Sequence, residues 1–260
     1  MPPIVRGISL YHPQGYLGRP NNPFGKDIAN AALFRALLNH GGFTHASVHN
    51  QLSLSEDQLS AALDLPGSVQ LSSAAINDTI YPARFGTLLR GQPYLSELSW
   101  LRRNSGLDRA YSLAGLVHTM APPAVRELIC SSALAPIHPW DALVCTSPAV
   151  QQGMHNMFDA LAEHLASRLG ASRAPRPQLP LIPLAVATDQ LAQQGSDTNA
   201  RAAFRQRLRV ADDDVLVALG WSPLLLREGI SPEHVSSHGH GSAAEPTLDA
   251  FTPGWLVPGR

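Results

Sequence analysis

The sequence predicts an α/β protein, a Rossmann-like doubly wound parallel sheet, followed by an irregular C-terminal tail. Three observations predict it. Short apolar runs of strand length alternate with stretches of helical period along most of the chain. The connections are rich in Gly, Pro, Asn and Ser, as turns require. No internal repeat interrupts the alternation, and strands separated by helices pair in parallel through right-handed crossovers.

The elements follow in order. "IVRGISLYH" (Ile4 to His12) reads as the first strand, and "PQGYLGRPNNPFG" as a long loop. "KDIANAALFRALLNHGG" is a helix with Ile28, Ala32, Leu33, Ala36 and Leu37 on one stripe and a Gly-Gly stop. "THASVHN" is the second strand. "SEDQLSAALDLPG" opens with Ser55 and Gln58 at capping-box spacing and closes at Pro66-Gly67. "SVQLS" is a short third strand.

From Pro93, "PYLSELSWLRRNSG" is a helix with proline in its first turn. "AYSLAGLVHTM" and "DALVCTS" are buried strands. "PAVQQGMHNMFDALAEHLASRLG" is a long helix whose Val150, Met154, Met157, Phe158, Leu161, Leu165 and Leu169 keep core spacing. "ASRAPRPQLP" is a proline-rich boundary. "LIPLAVATD", a helix "TNARAAFRQRLRV" and a strand "DDVLVALG" complete the pattern. The expected division is 1–188 as one domain, 189–220 as the start of a second, and 221–260 as a disordered tail.

Composition narrows the function. The formal net charge is −1 with no block of like charges, which argues against a nucleic-acid partner. Lys26 is the only lysine. Cys130 and Cys145 lack paired spacing and suit a reducing compartment. "MPPIVRGISLYHPQG" does not resemble a signal peptide, and no apolar run reaches membrane-spanning length. A cytoplasmic protein without a transmembrane segment is expected.

In an open α/β sheet, ligands bind beyond the carboxyl ends of the strands. That rule selects the loop Gly15 to Lys26, the pair His118-Thr119, and Thr146-Ser147. The loop precedes a helix, whose N-terminus can receive an anion. It matches neither G-x-G-x-x-G nor a Walker loop, so no cofactor is expected. His118 at a strand end can orient a hydroxyl, act as acid or base, or serve as a backbone-satisfied edge residue. His12 has the same alternatives. Thr146 or Ser147 most simply caps the following helix, and no G-x-S-x-G surrounds Ser147. His234, His238 and His240 lack an acidic or thiol partner in a defined turn, so no metal is expected.

Five stretches in this order resemble one family: "NNPFGKDIANAALFRAL", "YSLAGLVHT", "PWDALVCTSPAV", "LPLIPLAV" and "RAAFRQRLRVADDDVLVALG". They are similar to the group-1 (family 4) glycosyltransferases, from about residue 1 to Gly220. The resemblance implies the N-terminal, acceptor-side half of a GT-B fold in a retaining, metal-independent enzyme. The parent enzyme then takes a nucleotide-sugar donor and an acceptor of unknown identity. It implies that Phe24, Gly25 and Lys26 form the loop reaching donor phosphates and acceptor. His118 corresponds to the histidine contacting the transferred sugar, and Thr119 and Ser147 to neighbouring strand-end positions. The family's "IPxG(V/I)D" hinge reads "IPLAVATD" here, with Ala185 in place of glycine.

After "VALG" the family continues Gly-Arg-Leu-Ser and then Lys-Ala-x-Pro, whose arginine and lysine hold the donor diphosphate. Here Trp221 follows Gly220 and the pattern stops. Codons of Trp221 to Leu224 and of Glu228 to Val235, read one base later, allow the missing residues. A frame slip is therefore expected, with an inactive chain and an uncovered domain face prone to self-association. Two alternatives stand beside it: a non-catalytic binding module, and a nucleotide-sugar epimerase-like protein.

Overall fold

The computed structural model describes residues 6–12, 25–51, 53–184, 188–196, 198–209 and 211. Expectations for Phe24, for the strand "DDVLVALG" and for the tail 221–260 with its histidines lie outside them. The chain divides into two compact units, Met1–Val186 and Ala187–Arg260.

The first unit is built on six parallel strands: β1 (Gly7–His12), β2 (His45–Asn50), β3 (Gln70–Ala75), β4 (Thr87–Arg90), β5 (Ser112–Val117) and β6 (Ala142–Cys145). Their order is β3-β2-β1-β4-β5-β6, all pairs parallel. This is the doubly wound Rossmann-like sheet the sequence predicts. The helices are α1 (Gly25–His40), α2 (Glu56–Leu63), α3 (Ile80–Phe85), α4 (Ser96–Asn104), α5 (Pro123–Cys130) and α6 (Pro148–Leu169), with a 3-10 turn at Ser131–Leu134. In the second unit α7 (Thr188–Gly195) and α8 (Thr198–Leu208) are described.

Two cores lie on the sheet. Ile8, Leu10, Ala46 and Val48 pack under Ala31, Phe34 and Leu38 of α1 and Leu59 and Leu63 of α2. Leu88, Leu113, Val117, Leu143 and Cys145 pack with Leu98 of α4, Ile129 of α5, and Met154 and Phe158 of α6. Ser55 caps α2 as its spacing predicts: its hydroxyl accepts from Gln58 N at 3.2 Å, and Gln58 Oε1 accepts from Ser55 N at 2.9 Å.

Several expectations are corrected. The buried stripe of α1 is Asp27, Ala31, Phe34 and Leu38, whereas Ile28 is 45% exposed. Apolar residues lie on most sides of this helix, so periodicity does not select the inward face. Pro93 precedes α4, which begins at Ser96. Leu169 is exposed because α6 ends there at the left-handed Gly170. The proline-rich stretch also returns to the sheet: Leu143 N donates to Gln178 O and Cys145 N to Pro180 O, both at 2.8 Å. Parallel bridges Ala142–Gln178 and Cys145–Leu181 thus extend the sheet past β6.

On the face of β1 and β2 opposite α1 runs a buried polar line. Ser9 Oγ lies 2.8 Å from Ser47 Oγ, and Ser47 Oγ 3.2 Å from His49 Nε2. His49 Nδ1 lies 3.3 Å from the Ala75 carbonyl, which only accepts, so Nδ1 carries the proton and Nε2 accepts from Ser47. Burial holds the His49 pKa below the ordinary 6.5, against the pull of Asp78 and this bond. The unfolded chain therefore binds the extra proton more readily, and stability is complete above pH 6.5 and declines as pH falls below it. His12, lowered mainly by burial, acts in the same direction. The urea midpoint is expected to drop between pH 7.5 and about 5, and to drop less in His49→Gln. A midpoint that holds or rises on acidification contradicts this.

Candidate functional site

The strand order reverses between β1 and β4, because the chain leaves these neighbours toward opposite faces of the sheet. The crevice this opens at their carboxyl ends is where such folds hold ligands. A small cleft lies there, lined by Tyr11 and His12 of β1, by Asp27, Asn30 and Phe34 of α1, and by Arg90, Gly91 and Gln92 at the end of β4.

His118 follows β5 and closes one side of this corner. Its Nε2 lies 2.7 Å from Asn30 Oδ1 and 2.9 Å from the Gly91 carbonyl. A carbonyl only accepts, so Nε2 carries the proton. The ring is thereby fixed in tautomer and orientation by two residues that themselves line the cleft.

Gly91 is required by this contact. A Cβ at Gly91 would lie 2.4 Å from Asn30 Cγ and Nδ2 and 2.6 Å from Oδ1. Gly91→Ala is expected to push the Asn30 amide aside and loosen His118 while leaving the sheet folded. The His118 ring resonances report it: a shift comparable to that of Asn30→Ala is expected, and unchanged resonances refute the arrangement.

Arg90 forms the other wall. Its guanidinium donates to Glu97 Oε2 at 3.2 Å and to the Tyr94 carbonyl at 3.0 Å. It also sits 4.9 Å from the Tyr11 ring centroid and 5.3 Å from that of Tyr94. Burial and the Glu97 carboxylate push the Tyr11 pKa up to about 12, so its hydroxyl stays a donor. Burial lowers the His12 pKa more than Asp27 raises it.

The residues expected from sequence divide accordingly. Gly25 and Lys26 begin α1, one turn before Asn30. Thr119 is exposed beside His118, and its hydroxyl accepts from Ala121 N at 3.2 Å. Ser147 is the N-cap of α6, its hydroxyl accepting from Val150 N at 3.2 Å. Asn30, Arg90 and Gly91 were not marked by the sequence. The signal was a strand-end Arg-Gly, hidden because β4 is only four residues long.

Among the described residues, no group of three or more His, Cys, Asp or Glu side chains is placed to hold a metal ion. No described helix is long and apolar enough to cross a membrane. No family model, curated protein or solved structure matches the chain.

Proposed function

We propose that residues 1–188 are the acceptor-side domain of a retaining group-1 glycosyltransferase, whose parent enzyme moves a sugar from a nucleotide-sugar to an acceptor hydroxyl. One observation carries this: His118, the histidine of the family resemblance, is oriented by Asn30 and Gly91 at the switch point of the sheet. Groups that orient hydroxyls around an anomeric carbon stabilise the oxocarbenium-like transition state of such transfers. Lys26 at the start of α1 suits the negative charge of the donor phosphates.

The donor side of the cleft belongs to the second domain, whose Gly-Arg-Leu-Ser and Lys-Ala-x-Pro patterns are missing after Gly220. The 260-residue chain alone is therefore expected to be inactive. Sequencing the locus tests the frame-slip account. The frame one base later should run through both patterns into a further Rossmann unit, and an early stop there overturns it.

A second reading, a non-catalytic binding module, is favoured by the exposed Leu181, Ile182 and Leu184 beyond β6. Light scattering separates the two: a defined monomer or dimer supports the module, and open-ended association supports a broken enzyme.

A further inference from the structure

We propose that a groove at the amino ends of β2 and β3 binds a small monocarboxylate that carries an aromatic ring. The groove measures about 450 Å³, within the range of small-molecule sites. Its existence follows from the length of α3, which has six residues. Phe85, the last of them, lies directly on β1: a Cβ at Gly7 would come 2.1 Å from Phe85 Cδ1. The groove opens beside this contact over β2 and β3. His45 is in register with Gln70, and Ser47 with Ser72, so His45, Gln70 and Ser72 line it from the face opposite α1.

The lining selects the ligand. Tyr81, Phe85 and His45 bring three rings to it, with Tyr81 and His45 centroids 5.9 and 6.4 Å from that of Phe85. Tilted rings at this spacing attract one another, and a further ring extends the cluster. Arg84 is exposed among them, its guanidinium 5.9 Å from the Phe85 centroid. Among the described residues it has no ion pair and no hydrogen bond. A planar guanidinium takes a carboxylate through two parallel bonds, so rings beside a free guanidinium call for a ring-bearing carboxylate.

Glu56 limits the charge of that ligand. It shares the lining, and its Oε1 accepts from Ser73 N at 3.3 Å. One guanidinium offset by one carboxylate leaves no partner for a second negative charge, which disfavours a phosphate. An added β-strand is not the occupant, because the edge of β3 is already used: Glu56 holds Ser73 N, and the Ala75 carbonyl accepts from Asp78 N at 3.0 Å. The inference stands apart from the transferase reading, since the groove shares no lining residue with the cleft of Tyr11, His12 and Arg90.

Histidine-ring NMR on the full chain tests it, with 2-naphthoate, its neutral amide 2-naphthamide and inorganic phosphate as probes, and His45→Gln to assign the His45 resonance. A saturable shift of that resonance with 2-naphthoate is expected, half-complete at about 1 mM. The amide should need about ten times the concentration, and Arg84→Met should weaken the carboxylate by a similar factor, the effect of losing one charge-assisted hydrogen bond. Glu56→Gln should instead tighten it about two- to threefold by removing a like charge. A linear drift with 2-naphthoate, equal affinity for acid and amide, or saturation by phosphate at lower concentration overturns the proposal. If the variants fail to fold, the acid–amide comparison on the wild-type chain decides the same point.

Discussion

Asp141→Asn is expected to lower folding stability by about 3–5 kcal/mol, the cost of leaving a buried charge without its partner. Asp141 and Arg102 are both fully buried and meet in a bidentate pair, with N–O distances of 2.9 and 2.8 Å. The carboxylate also accepts from Leu113 N at 2.8 Å and His138 N at 2.7 Å. The guanidinium donates to the carbonyls of Tyr111 and Pro136 at 2.7 and 3.2 Å. One ion pair thus fixes α4 to the entries of β5 and β6. The asparagine keeps the shape, but its amide cannot accept at both positions, and the Arg102 charge is left uncompensated in the core. A loss of this size moves the melting temperature by about 10 °C or more in a domain of this length. Asp159→Ala removes an ion pair to Arg176 whose side chains are 67% and 45% exposed, and should change stability by less than about 1 kcal/mol. Equal effects from the two substitutions contradict this. Replacing both buried partners with apolar residues should recover much of the loss.

His118→Ala is expected to reduce kcat of the frame-extended enzyme by about 10²–10³-fold, the usual cost of removing one oriented polar group from a transition state. The fold should not suffer, since His118 is only partly buried and follows β5 rather than lying within it. Asn30→Ala removes a positioning residue and leaves the ring, so a smaller loss is expected. Its His118 ring resonances should shift, because His118 then lacks its Asn30 Oδ1 acceptor at 2.7 Å. A loss confined to KM in His118→Ala assigns the ring to ground-state binding and contradicts a role at the reacting centre.

Much of the fold was legible because the long strands and helices declare their period. β1 and β2 end at His12 and Asn50, β5 and β6 stop just before His118 and Thr146, and α2 announces its capping box. β4 was not legible. It has four residues, ends in a buried arginine, and lies in the middle of the sheet, where only neighbours on both sides reveal it. The inward face of α1 was misplaced because apolar residues occur nearly all round it. Proline concealed the pairing of 178–181 with β6, because Pro180 lacks an N–H and joins the sheet only through its carbonyl, which accepts from Cys145 N. The strand-end rule found His118, but its partners Asn30 and Gly91 stand 88 and 27 residues away. No local pattern spans such separations; only the placement of β4 between β1 and β5 in the sheet unites them.

The most direct test of the account is sugar release from UDP-, GDP- and ADP-sugars by two purified proteins, the 260-residue chain and the same chain continued in the shifted frame after Gly220. The account predicts no turnover by the first and acceptor-dependent transfer with retention of anomeric configuration by the second, abolished by His118→Ala. Clear turnover by the 260-residue chain, or transfer indifferent to His118, would contradict it.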